Sequence, residues 1–402
     1  MDYKIYFMSS LITRLTAYNK GLSPDLLKLK WDALRESPFR FYRGTCNLFA
    51  EDFCKAYKGA KKINVWLCAD PHFENFGSFK GQNRLVYFDI NDFDESILAT
   101  PEIDITRFLT SIIIAGTQMH AKQKEITKVL QQLLAIYCTT LSAGKAMMME
   151  KEVAHGSLKK YFEQLEKRNR TAFVAKKTLK TKAGLTIKTD GIAYIEISEA
   201  EKKSVKTALA RLLKKDKHFS ELKILDVAFR VAGTGSLGLE RYVLLCYNKN
   251  RDKYYFLDVK ESRRSCFATN VKTKQPHFAN EAERTIYAEW VMQFCTPGYI
   301  EKLKIGKKWF VVKEMQPTID KIAIESFNNN FVELTAAATN MVPLLAYAHI
   351  RSTGHGGACT ADELIQFSKK VSWQKDVLAL AQIMADKNDK YYKLYISDKA
   401  AT

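Results

Sequence analysis

The segment from Ile224 to Glu261 limits the folds open to this chain more than any other. It predicts a strand, a glycine-rich loop, a second strand, a polar turn at KNRDK and a third strand. The loop, GTGSLG, places Gly233, Gly235 and Gly238 at GxGxxG spacing. A dinucleotide-binding fingerprint would need these glycines to open a helix in a βαβ unit, but an antiparallel hairpin follows them here. The pattern therefore favours a phosphate-covering loop between two strands.

A lysine stands on the third predicted strand, where a nucleotide site of this type needs one. Lys260 comes 22 residues after Gly238 and is flanked by strand-forming residues. In such sites the lysine reaches the phosphates, and an acidic residue on the next helix holds its ammonium. The helix predicted from NEAERTIYAEW offers three candidates, Glu281, Glu283 and Glu289. We favour Glu283, because the apolar residues on its approximate face would point inward, and Glu281 is a close alternative. Those apolar residues are Ile286, Trp290 and Phe294.

A second group of polar residues lies nearer the start of the chain, in ADPHFENFG and VYFDINDFDE. Asp70 and Asn75 stand five residues apart after a predicted strand, the spacing of a kinase catalytic-loop aspartate and its metal-binding asparagine. Asp89, Asp92 and Asp94 follow 14 to 19 residues after Asn75. Mg²⁺ prefers carboxylate and carbonyl oxygens, and phosphoryl transfer needs a metal ion and a lysine to neutralise the developing charge. The alternative is a polar loop with an Asp turn and Asn caps.

The motifs FRFYRG, ADPHFENFG, YFDINDFDES with EIDITRF, RVAGTGSLG and FLDVKES resemble those of the bacterial domain-of-unknown-function 2252 family, over most of the chain. That family looks like a remote relative of protein kinases and aminoglycoside phosphotransferases. ADPHFENFG is similar to the GDxHxxN loop of the phosphotransferases, with Ala69 in place of the usual glycine. Within the FYRG signature, Arg43 is a candidate contact for a phosphate or a carboxylate.

The resemblance implies a role for each acidic position. Asp70 would be the catalytic aspartate, and Asn75 together with an aspartate of NDFDE would bind the metal ion. Asp92 is the favoured ligand, because it lies 12 residues before Asp104. That interval is similar to the one in aminoglycoside phosphotransferases between the metal aspartate and a structural aspartate that braces the catalytic loop. Asp89 fits the distance from Asn75 better and is the second choice, while Asp104 takes the bracing role.

The expected fold is α+β, a protein-kinase-like two-lobed fold with its parts in permuted order. In ordinary kinases the glycine loop and lysine precede the catalytic loop, whereas here they follow Asp70 by more than 150 residues. A domain tolerates such a reordering when the cut falls in a surface loop. We expect three parts: the catalytic segment with a basic helical insert in 1–223, the small β-rich lobe in 224–317 and the helical completion of the large lobe in 318–402. LLAYAHIRS would be the helix that leads into the catalytic loop, and WFVVKEMQP the hinge that holds adenine.

The first functional expectation is an ATP- and Mg²⁺-dependent phosphotransferase that acts on a small-molecule or protein acceptor. Asp70 would position or deprotonate the acceptor, and Lys260 with Glu283 would orient the α- and β-phosphates. The residues expected to bind the nucleotide are Gly233, Gly235, Ser236, Gly238 and Lys260. The same site would transfer AMP if it bound ATP in a reversed pose. A nucleotide-binding pseudoenzyme is disfavoured, because a degraded site usually lacks at least one of the key residues. Those residues are Asp70, Asn75, Asp92 and Lys260.

The charge of the chain supports an alternative from another class. Its 402 residues include 63 Lys or Arg and 44 Asp or Glu, a formal charge of +19 that favours polyanionic partners. Residues 151–217 alone hold 18 basic and 8 acidic residues. A non-catalytic protein could bind nucleic acid or anionic membrane through this insert. Because aromatic residues for base stacking are sparse there, we favour a solvated helical face with a small hairpin at LTIKTDGIAYIEI.

The remaining patterns concern the compartment. Eight cysteines are scattered without CxxC spacing, which predicts neither a zinc cluster nor a disulfide scaffold and favours a reducing environment. No stretch approaches 18 consecutive apolar residues, so we expect no transmembrane segment. The first residues lack the pattern of a signal peptide. These observations predict a cytoplasmic location, although a non-classical export route would leave no such pattern.

Overall fold

The structure is a computed structural model that describes residues 11–59, 63–167, 169–182, 184–315 and 322–397. Runs of helices and runs of strands are segregated along the chain, which confirms the α+β class. Gln316 and Pro317, at the end of the expected hinge, lie outside the described residues, as does the boundary expected between residues 317 and 318.

The described part contains helices throughout and strands mainly in two stretches. The helices are α1 (Pro24–Arg35), α2 (Pro38–Gly44), α3 (Cys46–Ala56), α4 (Glu102–Gln118), α5 (Gln123–Ala143), α6 (Gly156–Glu166), α7 (Arg170–Lys177), α8 (Glu199–Lys215), α9 (Glu281–Met292), α10 (Phe331–Ser352), α11 (Ala361–Ser368) and α12 (Ser372–Ser397). The strands are β1 (Val65–Leu67), β2 (Phe76–Lys80), β3 (Val86–Ile90), β4 (Ile97–Ala99), β5 (Thr178–Thr181), β6 (Gly184–Ile187), β7 (Tyr194–Ile195), β8 (Leu222–Arg230), β9 (Arg241–Asn248), β10 (Lys253–Glu261), β11 (Glu301–Ile305) and β12 (Lys308–Glu314).

Six strands form one antiparallel sheet in the order β11-β12-β10-β9-β8-β7. The predicted succession of strand, glycine loop, strand, turn and strand is confirmed as β8, the loop at 231–240, β9 and β10. Lys260 pairs with Arg241 of β9 on one side and with Val311 of β12 on the other. Alternate residues of a strand share one face, so Lys260, Asp258 and Phe256 point to the same side of the sheet.

The basic insert is built into this sheet. Its strand β7 pairs with β8, and α8 packs Val205 and Leu209 into the apolar core on one face of the sheet. The expected boundary between residues 223 and 224 therefore falls inside strand β8 of this sheet. The prediction of a small hairpin at Leu185–Ile197 is wrong, because β6 pairs with β5 while β7 pairs with β8.

Two short two-stranded sheets, β1 with β4 and β2 with β3, position the acidic segments. The loop that carries Asp70 follows β1, and a single 3₁₀ turn at Phe73–Asn75 leads from it into β2. The hairpin of β2 and β3 then returns the chain, so that the backbone N–H of Asn91 donates to the Asn75 carbonyl at 3.0 Å. The segment NDFDE thereby lies beside the loop ADPHFENFG.

The largest apolar core contains buried residues of α4, α5, α10 and α12. The motif LLAYAHIRS lies in α10, which packs against α5 and touches β1. Among the described residues, α10 is the one helix long and apolar enough to cross a membrane, and 61% of its apolar window is buried within the fold. A core helix of a globular protein has the same length and composition, so the described part contains no clear transmembrane segment.

Candidate functional site

One large cavity, of about 1280 Å³, lies between the six-stranded sheet and the two acidic segments. A site for one small molecule typically encloses about 300–1,000 Å³, so this cavity has room for a nucleotide and a second small molecule. Its wall includes Asp70, Asn75, Asp92, Lys260 and part of the glycine loop. The structure therefore brings both groups of predicted residues into one cavity.

Lys260 joins the two groups directly. Its ammonium Nζ lies 2.9 Å from Asp92 Oδ2 and also contacts the carboxylate of Asp94. The lysine and Asp92 are 168 residues apart in the sequence. Burial alone would lower the pKa of Lys260, but the two carboxylates outweigh this effect and raise the pKa above its usual value. The cavity thus holds a charged ammonium between two aspartates.

Asp70 is fixed on the same wall by a buried arginine. Arg107 of α4 donates from Nε to Asp70 Oδ1 at 2.8 Å, and its Nη2 lies 2.8 Å from the same oxygen while donating to the Tyr42 carbonyl at 2.9 Å. Its guanidinium stacks on Tyr42, 3.6 Å from the ring centre. Burial raises the pKa of Asp70 to about 7, although Arg107 opposes this effect. A carboxyl group that titrates near neutral pH is suited to accept a proton from a hydroxyl group.

Asn75 connects the two acidic segments. Its Nδ2 donates to the backbone carbonyl of Asp70 at 3.0 Å and to that of Asp92 at 3.2 Å. The position of Asn75 is therefore fixed relative to both aspartates.

The carboxylates beside Lys260 fit a Mg²⁺ site. Asp92 and Asp94 converge on one ammonium, so both can approach a single cation. In phosphoryl-transfer sites Mg²⁺ usually binds one or two carboxylates together with phosphate oxygens and water. Within the described ranges, no group of three or more His, Cys, Asp or Glu is arranged to hold a metal ion. Two carboxylates alone would leave the other coordination positions of Mg²⁺ to water or phosphate oxygens.

Asp89, the second-choice metal ligand, points away from the cavity. Its carboxylate pairs with Arg351 of α10 at 2.9 Å and accepts a hydrogen bond from the backbone N–H of Ile90 at 2.9 Å. Burial raises its pKa, with Arg351 acting in the opposite direction. Asp89 therefore ties β3 to α10.

Asp104 holds the loop that carries Asp70. Its carboxylate accepts hydrogen bonds from the backbone N–H groups of Cys68 at 3.2 Å and Ala69 at 2.9 Å. On its other side it lies 3.1 Å from Nε2 of His349, in the motif LLAYAHIRS. Ala69 has a φ of +62°, in the left-handed region that glycine enters more easily.

The glycine loop is held from outside by the N-terminal part of the chain. Lys30 of α1 is buried and donates from Nζ to the Gly235 carbonyl at 3.0 Å and to Asn19 Oδ1 at 2.8 Å. Burial lowers the pKa of Lys30 to about 8. Gly238 has a φ of +101°, and a Cβ there would lie 2.6 Å from the Leu22 side chain. The loop therefore needs glycine at this position for close packing and not for contact with the cavity.

The other predicted loop residues, Gly233, Gly235 and Ser236, do line the cavity. Gly233 adopts a φ of +80°, and Ser236 Oγ donates to the Ala232 carbonyl at 3.2 Å. The serine hydroxyl thus stabilises the turn of the loop.

The sequence predicted Glu283 as the acidic partner of Lys260, but Lys260 pairs with Asp92 and Asp94 instead. Glu283 is 37% exposed and pairs with Lys302 of β11 at 3.2 Å, away from the cavity wall. The glutamate of α9 that lines the cavity is Glu289, which is buried and lies 2.5 Å from Nζ of Lys313 on β12. Burial raises the pKa of Glu289, while Lys313 opposes the shift.

The sequence analysis did not identify several further charged residues of the cavity wall. Asp258, two residues before Lys260 on the same face, binds Arg241 at 2.8 Å and Arg230 at 2.9 Å. Burial would raise the pKa of Asp258, but the two arginines hold it well below its usual range. Arg107 did carry a sequence signal, because a basic residue beside the apolar run of α4 indicates a buried partner.

Arg43 of the FYRG motif also lies on the cavity wall. Its guanidinium pairs with Glu74 of the loop ADPHFENFG. Glu74 in turn accepts a hydrogen bond from the backbone N–H of Ile324 at 2.9 Å. Of the two partners considered for Arg43, a phosphate or a carboxylate, the structure places a carboxylate beside it.

Part of the cavity wall is apolar, and the basic insert contributes to it. Phe173 and Val174 of α7 and Tyr194 of β7 form one apolar cluster with Phe256 and Met315 of the sheet region. Large ligands commonly bury their apolar and aromatic parts against such walls. The insert is therefore a component of the cavity.

Fold and site together define a mixed α+β protein in which two acidic segments meet a strand lysine beside a glycine loop. The chain belongs to the domain-of-unknown-function 2252 family, whose profile, described as "Uncharacterized protein conserved in bacteria (DUF2252)", matches residues 22–398. This match confirms the family resemblance of the motifs. Comparisons with curated proteins and with solved structures found no match.

Proposed function

We propose that this protein is an ATP- and Mg²⁺-dependent phosphotransferase with a permuted, kinase-like arrangement of its site. The observation that carries the proposal is the contact between Lys260 Nζ and Asp92 Oδ2, at 2.9 Å. It unites a lysine one strand beyond a glycine loop with an aspartate that follows a catalytic-type loop, the combination that protein kinases use. The order of these parts along the chain differs, but their side chains share one cavity.

Each residue of the cavity has a role in this proposal. Asp70 would orient the acceptor hydroxyl and take its proton as the acceptor oxygen bonds to the γ-phosphorus and ADP leaves. Asp92, Asp94 and Asn75 would hold Mg²⁺, which when bound neutralises charge on the phosphate oxygens. Lys260 would bind the α- and β-phosphates, beneath the backbone of the glycine loop.

The remaining parts of the wall would bind the rest of the substrates. The apolar cluster around Phe256 would receive the base of the nucleotide, with Phe173 and Val174 of the insert on one side. The volume beyond the nucleotide would hold a small-molecule acceptor or the accepting side chain of a protein.

Thermal unfolding with and without ATP and Mg²⁺ tests the proposal. A ligand present at about 100 times its dissociation constant stabilises the native state by about 2.7 kcal/mol, so we expect a clear rise in melting temperature that requires both components. Asp92→Asn should lose the rise. The matched control is Asp389→Asn, which removes a carboxylate from an exposed pair with Lys393 and should keep it.

Two results would count against the proposal. The first is a melting temperature that ATP and Mg²⁺ leave unchanged, accompanied by a salt-sensitive shift with nucleic acid, which would favour the basic insert as the functional surface. The second is transfer of label from α-labelled but not γ-labelled ATP to a product, which would indicate AMP transfer.

A further inference from the structure

We propose that Lys260 is an internal counter-ion that keeps divalent cations away from Asp92 and Asp94 until a nucleotide draws its ammonium aside. Metal and nucleotide would then enter the cavity together, each raising the affinity for the other. This inference rests on the proposed function, because it takes a nucleotide as the ligand that releases the lysine.

The first argument is the geometry around the ammonium. Lys260 Nζ lies 2.9 Å from Asp92 Oδ2 and contacts Asp94 Oδ2 as well, so one cation bridges both carboxylates. Mg²⁺ binds carboxylate oxygens at about 2.0–2.1 Å. A metal ion bound by the same two oxygens would therefore occupy the space that Nζ fills, and the lysine has to leave first.

The second argument is the cost of moving the lysine without a new partner. The Lys260 side chain is only 12% exposed, so its ammonium cannot simply turn into bulk water. A buried charge without a partner strongly disfavours the folded state. The free metal ion must meet this cost in addition to its own dehydration, which Mg²⁺ undergoes reluctantly.

The third argument is that the neighbouring carboxylates are already engaged. Asp258 is bound by Arg230 and Arg241, and Glu289 is bound by Lys313. A displaced Lys260 would add a further cation to an acid whose charge is already compensated. The phosphates of a nucleotide are a new anionic partner that breaks none of these pairs.

The consequence is a reciprocal coupling between two ligands. If nucleotide raises the affinity for the metal ion by a given factor, the metal ion raises the affinity for the nucleotide by the same factor. A lysine that competes with the metal in the empty cavity and supports the phosphates in the filled one would produce such a coupling.

Binding of Mn²⁺, followed by the electron paramagnetic resonance signal of the free ion, tests the inference without measuring activity. Wild type should bind Mn²⁺ weakly alone and, after subtraction of the Mn²⁺ that the analogue binds without protein, at least about tenfold more tightly with a non-hydrolysable ATP analogue. Lys260→Met should bind Mn²⁺ at least about tenfold more tightly than wild type when no nucleotide is present. Adding Asp94→Asn to Lys260→Met should abolish that gain, and the surface variant Lys393→Met should behave as wild type.

The outcomes separate this inference from the proposed function. Equal Mn²⁺ affinity of wild type with and without the analogue, while the analogue itself binds, would overturn the counter-ion role and leave the nucleotide site standing. An unchanged Mn²⁺ affinity in folded Lys260→Met would do the same, and Lys260→Gln serves if the methionine variant does not fold. Absence of binding by both the analogue and Mn²⁺ would overturn the proposed function and this inference with it.

Discussion

At the residue scale, the charged side chains in and around the cavity are largely buried and form ion pairs with one another. Lys260 lies between two aspartates, Asp70 against Arg107, and Asp258 between two arginines. Removing one member of such a pair leaves an uncompensated buried charge, which is strongly destabilising. Asp→Asn removes the charge but keeps the shape and one hydrogen-bond acceptor of the carboxylate, so its effect reports the loss of charge.

The raised pKa of Asp70 predicts a specific dependence of stability on pH. An ordinary aspartate titrates near pH 4, whereas burial moves the pKa of Asp70 to about 7 in the folded protein. Between these values the folded state binds more protons than the unfolded state, so its stability falls as pH rises. We expect this group to lower the free energy of unfolding by roughly 2–3 kcal/mol between pH 5 and 8.

Denaturant unfolding of wild type and Asp70→Asn across that pH range checks the prediction. The asparagine variant keeps a hydrogen-bond acceptor for Arg107 and should show a smaller decline with pH. The free energy of unfolding of Asp389→Asn should fall with pH as that of wild type does. Equal slopes for wild type and Asp70→Asn would show that the carboxyl titrates normally.

At the element scale, the glycine loop depends on α1. Lys30 reaches the Gly235 carbonyl from this helix, and burial lowers its pKa to about 8. Between about pH 8 and the ordinary lysine value near 10.4, the unfolded state binds more protons than the folded state. Lys30 should therefore make the protein more stable as pH rises through this range, opposite in sign to Asp70.

Unfolding measurements at pH 7.5 and 9.5 test this prediction. Between these pH values the free energy of unfolding of wild type should rise by about 1–2 kcal/mol more than that of Lys30→Met. Lys28→Met, a neighbouring exposed lysine on the same helix, should follow wild type. A Lys30→Met variant with the full wild-type gain would mean that the buried amine is charged throughout.

Some elements of the site could be predicted from sequence, because local patterns determine them. The glycine loop between β8 and β9 has its own turn residues and strand periodicity, and β10 carries Lys260 at the expected place. The register of α9 against the sheet could not be obtained in the same way. Its buried apolar residues are Ala282, Ala288, Val291 and Met292, whereas Trp290 is 55% exposed. A choice based on large apolar residues therefore selected Glu283, which faces outward.

Strand pairs and ion pairs between distant parts of the chain likewise could not be predicted from local sequence patterns. The two arms of LTIKTDGIAYIEI look like one hairpin, but β7 finds its partner in β8, more than 30 residues away. Glu281, the alternative partner for Lys260, pairs with Arg284 of its own helix at 2.6 Å. Strand pairing and ion pairing across a cavity depend on tertiary packing, which composition and spacing do not encode.

At the scale of the whole molecule, the positive charge and the cavity are expected to act independently. Lys203 and Lys214 lie exposed on α8, while the opposite side of that helix packs on the sheet. The double variant Lys203→Glu and Lys214→Glu should keep the stabilisation by ATP and Mg²⁺ within experimental error. Any nucleic-acid binding should weaken, because fewer phosphates would be neutralised.

Parallel melting and nucleic-acid titrations at two salt concentrations check this independence. Loss of the ATP- and Mg²⁺-dependent shift in the double variant would connect the basic surface to the cavity. Such a result would contradict the separation of the two features.

The most direct test of the central claim is a double-mutant cycle on Lys260 and Asp92, with the affinity for ATP and Mg²⁺ measured by calorimetry. If these residues from distant parts of the chain form one nucleotide site, Lys260→Met and Asp92→Asn should each weaken binding about tenfold or more, which is about 1.4 kcal/mol. The double variant should lose less than the two losses combined, because both residues act on the same phosphates. Unchanged affinity in both single variants would contradict the account.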